Sequence, residues 1–111
     1  AIRIINHYES LNEYYDVLVL LQPTSPIKTG NNIDEAIVLI NQNTDGVISV
    51  VAMEDTHPAR MYNLNDTKNL IALYPELETK RRQDLTPVYY RNGCIYVIKV
   101  AALKAQHTFM P

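Results

Sequence analysis

With 111 residues, 47% of them hydrophobic and 20% charged, the chain has the composition of one soluble globular domain and can supply a core. Its formal net charge of −2 excludes the broad basic field needed for nucleic acid or an anionic membrane surface, although Lys80-Arg81-Arg82 concentrates cations locally. The single cysteine, Cys94, excludes an intrachain disulfide, no apolar run is long enough to span a membrane, and no secretory leader is visible, so the reading is a cytoplasmic protein.

The chain opens on Ala-Ile-Arg-Ile-Ile-Asn without an initiator methionine, as if it began inside a fold. Ile2, Ile5, Tyr8 and Leu11 share one helical face. Next comes the stretch that organises the rest, Tyr-Asp-Val-Leu-Val-Leu-Leu-Gln-Pro-Thr-Ser-Pro, residues 15–26. Val17–Leu21 is an unbroken apolar run of strand length, expected in the middle of a sheet and buried on both faces. The spacing of Ile33, Ala36, Ile37 and Ile40 predicts a helix ending near Asn41, with Asn32 and Glu35 as its cap. Residues 43–46 supply a turn, and residues 47–53 form a second apolar strand, which completes a parallel βαβ unit.

From residue 54 to 87 the chain becomes polar and proline-rich. Two short strand-like runs, residues 60–64 and 70–74, flank a five-residue loop and predict a β-hairpin extension, which is too small to stand alone. A third sheet strand is expected at residues 94–98, followed by helix formers from Ala101 to Gln106. Asn92-Gly93, between two apolar runs, is a strong signal for a tight turn.

Two segments carry candidate chemistry. Gln22, Thr24, Ser25 and Lys28 follow the carboxyl end of the first strand, where open α/β sheets bind ligands, and two prolines stiffen that loop. The same residues are also ordinary turn chemistry. The second segment, residues 82–96, adds Arg82, Asn92 and Tyr96. Hydroxyls, side-chain amides, a phenol and cations suit a polar, anionic, many-hydroxyl ligand, arginine in particular matching carboxylate or phosphate. A solvated basic turn is the plainer account of Lys80-Arg81-Arg82. Cys94 reads as a small buried hydrophobe. His7, His57 and His107 have no metal-ligand spacing, and there is no Gly-rich phosphate loop or paired-aspartate motif.

Leu20-Leu21-Gln22-Pro23-Thr24-Ser25-Pro26-Ile27-Lys28, taken with Arg81-Arg82-Gln83-Asp84 and Tyr90-Arg91-Asn92-Gly93-Cys94-Ile95-Tyr96, resembles the acylneuraminate cytidylyltransferases, the CMP-sialic acid synthetase family. Kdo-activating relatives carry a Gln-Gly-Asp-Glu-Pro type of loop at the first position, so the chain looks closer to the enzymes of nine-carbon sugars. The resemblance implies an α/β fold of the nucleotide-diphospho-sugar transferase type, three-layered with a mostly parallel sheet. Residues 1–111 would be the central part of a single cytidylyltransferase domain, and residues 54–87 a homodimerisation extension. It implies CTP and a nonulosonic acid as substrates, with no nucleic acid and no membrane as partner. Gln22, Thr24 and Ser25 would line the sugar and nucleotide cleft. Lys28 stands where the family usually has arginine, which keeps the charge and loses the planar fork. Arg60 and Arg82 match cationic positions facing the sugar acid and phosphates, and Asn92 and Tyr96 match sugar-contacting positions.

By the same resemblance, an Arg- and Lys-bearing nucleotide loop is expected before Ala1 and the aspartates that hold Mg2+ after Pro111. The expectation is therefore no catalytic or metal-binding residue within the chain and no turnover by it alone. A non-catalytic sugar-binding or dimerisation module derived from the same fold is the competing reading.

Overall fold

Val17–Leu21 forms strand β1, as its apolar run predicts. It pairs antiparallel with β5 (Val88–Lys99), in register from Val17 opposite Lys99 to Leu21 opposite Ile95. The other neighbour of β5 is β2 (Gly46–Met53), giving the order β1-β5-β2. The Lys99 amide meets the Asp45 carbonyl and the Ile95 amide meets the Ser49 hydroxyl, so β2 also runs opposite to β5. The computed structural model describes all residues from Ala1 to Pro111.

Two expectations are corrected by this topology. The sheet is antiparallel at its pairings rather than mostly parallel, and β1 lies at the edge of this chain's sheet rather than in its middle. Strands β1 and β2 do point the same way, but β5 is inserted between them. The physical reason is that an apolar run reports burial on both faces and carries no information about which strand lies alongside. The central position belongs to the longest strand, β5, whose Ile95, Val97 and Ile98 are buried, whereas Leu20 and Leu21 of β1 are exposed.

Period-two alternation sends successive side chains of β1 and β5 to opposite faces. Leu18 and Ile98 join Ile5, Val100, Leu103 and Phe109 in one cluster, covered by α1 (Ile2–Ser10) and α3 (Val100–Gln106). Lys104 donates to Glu9 at 2.6 Å and ties these two helices together. Val17, Val19, Ile95 and Val97 join Ile33, Ala36 and Ile40 on the other face, under α2 (Gly30–Val38) and the residues just after it. Helix α2 starts earlier than expected. Thr29 is its N-cap, accepting from the Asn32 amide at 3.3 Å while Asn32 Oδ1 accepts from the Thr29 amide at 2.9 Å, a reciprocal capping box. Asn32 is thus the third helical residue and not the cap.

Asn92-Gly93 makes no hairpin turn. Both residues lie inside the continuous strand β5, where Gly93 takes φ +71 and kinks it.

Contacts divide the chain into two units, Ala1–Val50 with Arg91–Pro111, and Val51–Tyr90. The second contains the hairpin of β3 (Tyr62–Leu64) and β4 (Leu70–Ala72), antiparallel with Tyr62 opposite Ala72. Asn65 Oδ1 accepts from the Asn69 amide at 2.8 Å and organises the loop, and Lys68 adopts φ 60. Ala59 is the only hydrophobic residue buried in this unit. Polar clasps therefore hold much of it. The Arg60 guanidinium donates to the carbonyls of Leu77, Glu78 and Lys80, and the His57 ring accepts from the Ala59 amide at 3.0 Å while Nε2 meets the Thr86 carbonyl at 2.9 Å.

Candidate functional site

The loop leaving β1 is closed by its own lysine. Lys28 Nζ donates to the carbonyls of Gln22 at 2.9 Å and Ser25 at 2.6 Å, and the Ser25 amide returns to the Gln22 carbonyl at 3.3 Å. Two of the three ammonium protons are thereby used within the loop. Lys28 shapes the segment that carries Gln22, Thr24 and Ser25, of which Thr24 is exposed and the other two are half-buried.

Gln22 points toward the kink in β5. A Cβ placed on Gly93 would lie 3.0 Å from Gln22 Oε1 and 3.7 Å from the Tyr96 hydroxyl, so the amide and the phenol converge on the glycine and any larger residue would push the Gln22 amide back by a few tenths of an ångström. The Tyr96 ring is held edge-on by Phe109, with centroids 6.3 Å apart. The bend also allows Asn92 Oδ1 to accept from the Cys94 amide at 3.1 Å, fixing the Asn92 side chain.

Within the same unit a cleft of about 320 Å³ opens between α2, β2 and β5, lined by Lys28, Asn32, Glu35, Ser49, Asn92 and Cys94 among others. Sequence reasoning missed Ser49, which donates to Asn92 Oδ1 at 2.6 Å and accepts from the Ile95 amide at 2.9 Å. The available signal was a lone hydroxyl in the apolar run Val47-Ile48-Ser49-Val50-Val51, a residue that must find a polar partner wherever it is covered. The structure thus gathers Gln22, Lys28, Asn92 and Tyr96 around one loop and one strand kink. Cys94 is buried, as an inert packing residue would be.

Arg60 and Arg82 belong to the second unit. The Arg60 guanidinium is engaged by the three carbonyls named above. Arg82 donates to the Glu54 carbonyl and to Asp55 Oδ1, the latter at 2.8 Å. The Arg82–Asp55 pair is exposed on both sides, so it is screened and exchangeable. Arg81 pairs with Asp84 at 3.0 Å, a solvated ion pair at the basic turn. In the hairpin, the Tyr62 hydroxyl donates to Glu78 at 2.8 Å, and this hydrogen bond, more than burial or the nearby negative charge, raises the phenol above its ordinary 10.0. No three His, Cys, Asp or Glu side chains converge anywhere in the structure. The residues present do not make a magnesium site. No helix is long and apolar enough to cross a membrane.

No family model matches the chain. Over 94 residues it is 35% identical to the N-acylneuraminate cytidylyltransferase of Streptococcus agalactiae serotype V, an alignment covering 84% of this chain and 22% of that protein. The serotype III protein of the same name gives the same identity and coverage. The chain is a homologue of the N-acylneuraminate cytidylyltransferases. A further relative is the CMP-N,N'-diacetyllegionaminic acid synthase of Legionella pneumophila, 26% identical over 99 residues, covering 87% of this chain and 41% of that protein. Both kinds of relative are nucleotidyltransferases. The chain spans about a fifth of the length of the streptococcal relatives, at 22%.

Proposed function

We propose that the protein carrying this chain is a cytidylyltransferase that activates a nine-carbon 2-keto sugar acid with CTP. The anomeric hydroxyl forms a bond to the α-phosphorus, the bond from that phosphorus to the bridging oxygen breaks, and pyrophosphate leaves with the CMP-sugar as product. The observation that carries this reading is the homology to N-acylneuraminate cytidylyltransferases over 84% of the chain. The convergence of Gln22 and Tyr96 at Gly93, beside a cleft presenting Asn92 and Lys28, supports it. Such a reaction depends chiefly on positioning and charge neutralisation, which amides, hydroxyls and cations provide.

In this reading Gln22, Thr24, Ser25, Asn92 and Tyr96 contact substrate, and Lys28 acts mainly by shaping the loop. Arg60 and Arg82 are the cations proposed for anionic groups of the substrates. The nucleotide-diphospho-sugar transferase type of fold, Mg2+ dependence of the full-length enzyme and homodimerisation through residues 54–87 belong to the same proposal.

The test supplies the full-length protein with CTP, magnesium and either N-acetylneuraminate or N,N'-diacetyllegionaminate. Phosphorus NMR should show CMP-sugar and pyrophosphate appearing together with one of the two acids. Binding of a sugar acid without pyrophosphate release would replace the enzyme with a sugar-binding module.

A further inference from the structure

We propose that Ser49 is a positioning residue that sets the polarity of the Asn92 amide, so that the cleft meets two N–H donors and not a carbonyl acceptor. The proposal rests on the cytidylyltransferase reading and adds to it a residue that acts through another.

Two backbone amides make the assignment unambiguous. The Cys94 N–H can only donate, so the Asn92 atom 3.1 Å away is the acceptor oxygen. The Ile95 N–H likewise donates to Ser49 Oγ at 2.9 Å, which leaves the hydroxyl proton for another acceptor. Asn92 Oδ1 lies at 2.6 Å, whereas the alternative, the Ile95 carbonyl, is at 3.4 Å. Ser49 therefore relays donor character from the strand backbone to Asn92 Oδ1, which receives two hydrogen bonds. Turning the amide over would set its NH2 against the Cys94 N–H and deprive Ser49 of its acceptor. Both losses oppose the flip.

The consequence falls on the ligand side. Asn92 Nδ2 donates to no group of the chain and lies on a residue lining the cleft, with Lys28, which retains one unused ammonium proton, and Glu35 as the charged groups lining it. Asn92 thus addresses an acceptor oxygen of the sugar acid. Such an exposed NH2 favours a ligand group that offers an acceptor oxygen over one that offers only a donor.

The experiment compares steady-state kinetics of full-length Ser49→Ala, Ser49→Thr, Asn92→Ala, Asn92→Asp and the Ser49→Ala/Asn92→Ala double variant. Loss of the relay should raise KM for the sugar acid by ~10-fold, the scale of one hydrogen bond, with KM for CTP near wild type. Ser49→Thr keeps the hydroxyl and should restore the wild-type value. The double variant should be no worse than Asn92→Ala, since the effect of Ser49 passes through Asn92. Asn92→Asp can accept from the same two donors and so keep the fold, yet it lacks the amide protons and should resemble Asn92→Ala. Wild-type KM in Ser49→Ala or in Asn92→Asp, or multiplied effects in the double variant, would overturn the proposal. Nitrogen-15 NMR separates it from the wider reading. In wild type the Asn92 side-chain NH2 should give one sharp pair of signals that broadens or doubles in Ser49→Ala. If no CMP-sugar forms, the cytidylyltransferase reading fails, and an Asn92 signal unchanged in Ser49→Ala independently overturns the positioning role.

Discussion

Lys28 acts within the loop that carries it. Its charge after a strand end suggested a ligand contact, but two of its protons close the Gln22 to Ser25 loop. Lys28→Met should therefore lower stability by about 1.5–3 kcal/mol, the range for hydrogen bonds to a charged group, in urea unfolding monitored by circular dichroism. A variant as stable as wild type would return Lys28 to a purely ligand-facing role. Tyr62 offers a test by pH. Its phenol is a donor to Glu78 only while protonated, and its folded value is raised above 10.0. The contribution to stability is accordingly complete below that ordinary value and is lost as pH rises through the raised folded one. Spectrophotometric titration of the phenolate in Glu78→Gln should show one tyrosine titrating at lower pH than in wild type. Coincident curves would mean that the hydrogen bond is not populated.

Among the elements, the kinked strand β5 and the capped helix α2 frame the candidate site. Gly93→Ala should destabilise by about 1–2 kcal/mol because a residue with Cβ is disfavoured at positive φ. The added carbon would also lie 3.0 Å from Gln22 Oε1 and displace that amide. Sugar-acid KM should rise alongside the lost stability, and a variant with normal stability and kinetics would show that the kink is not required. At the start of α2, Thr29→Ala removes the cap oxygen and should cost about 1 kcal/mol in thermal unfolding. Helix faces and apolar strands were legible because the pattern of apolar residues reports burial, and the hairpin because a polar five-residue loop separates two strand-like runs. The plainer reading of the Asn-Gly pair as a tight turn fails since the dipeptide signals positive φ, and a kink inside a strand uses that conformation as readily as a hairpin turn does.

At the scale of the molecule, burial is unevenly shared between the two units. All buried hydrophobic residues except Ala59 lie in Ala1–Val50 with Arg91–Pro111, whereas Leu64 and Leu70 of the hairpin are 65% and 67% exposed and sit opposite each other. A small hairpin with an exposed apolar pair is marginal in water, which motivates the proposed subunit contact. Full-length protein should sediment as a dimer in analytical ultracentrifugation, and Leu64→Asp with Leu70→Asp should shift it to monomer. A monomeric wild type would leave the hairpin without that role.

The local order was written in the sequence by itself: which segments are helix or strand, where the hairpin lies, and which loops concentrate polar side chains. These features depend on neighbours within a few residues, so periodicity, caps and turn residues encode them. Strand order, the antiparallel pairings, the Gln22 and Tyr96 convergence at Gly93 and the Ser49 relay were decided only by the tertiary structure. Ser49 and Asn92 are 43 residues apart, and their hydrogen bond exists because β5 is inserted between β1 and β2. An apolar strand satisfies burial beside any neighbour of similar character, and only the packing of the whole unit selects which neighbour it receives.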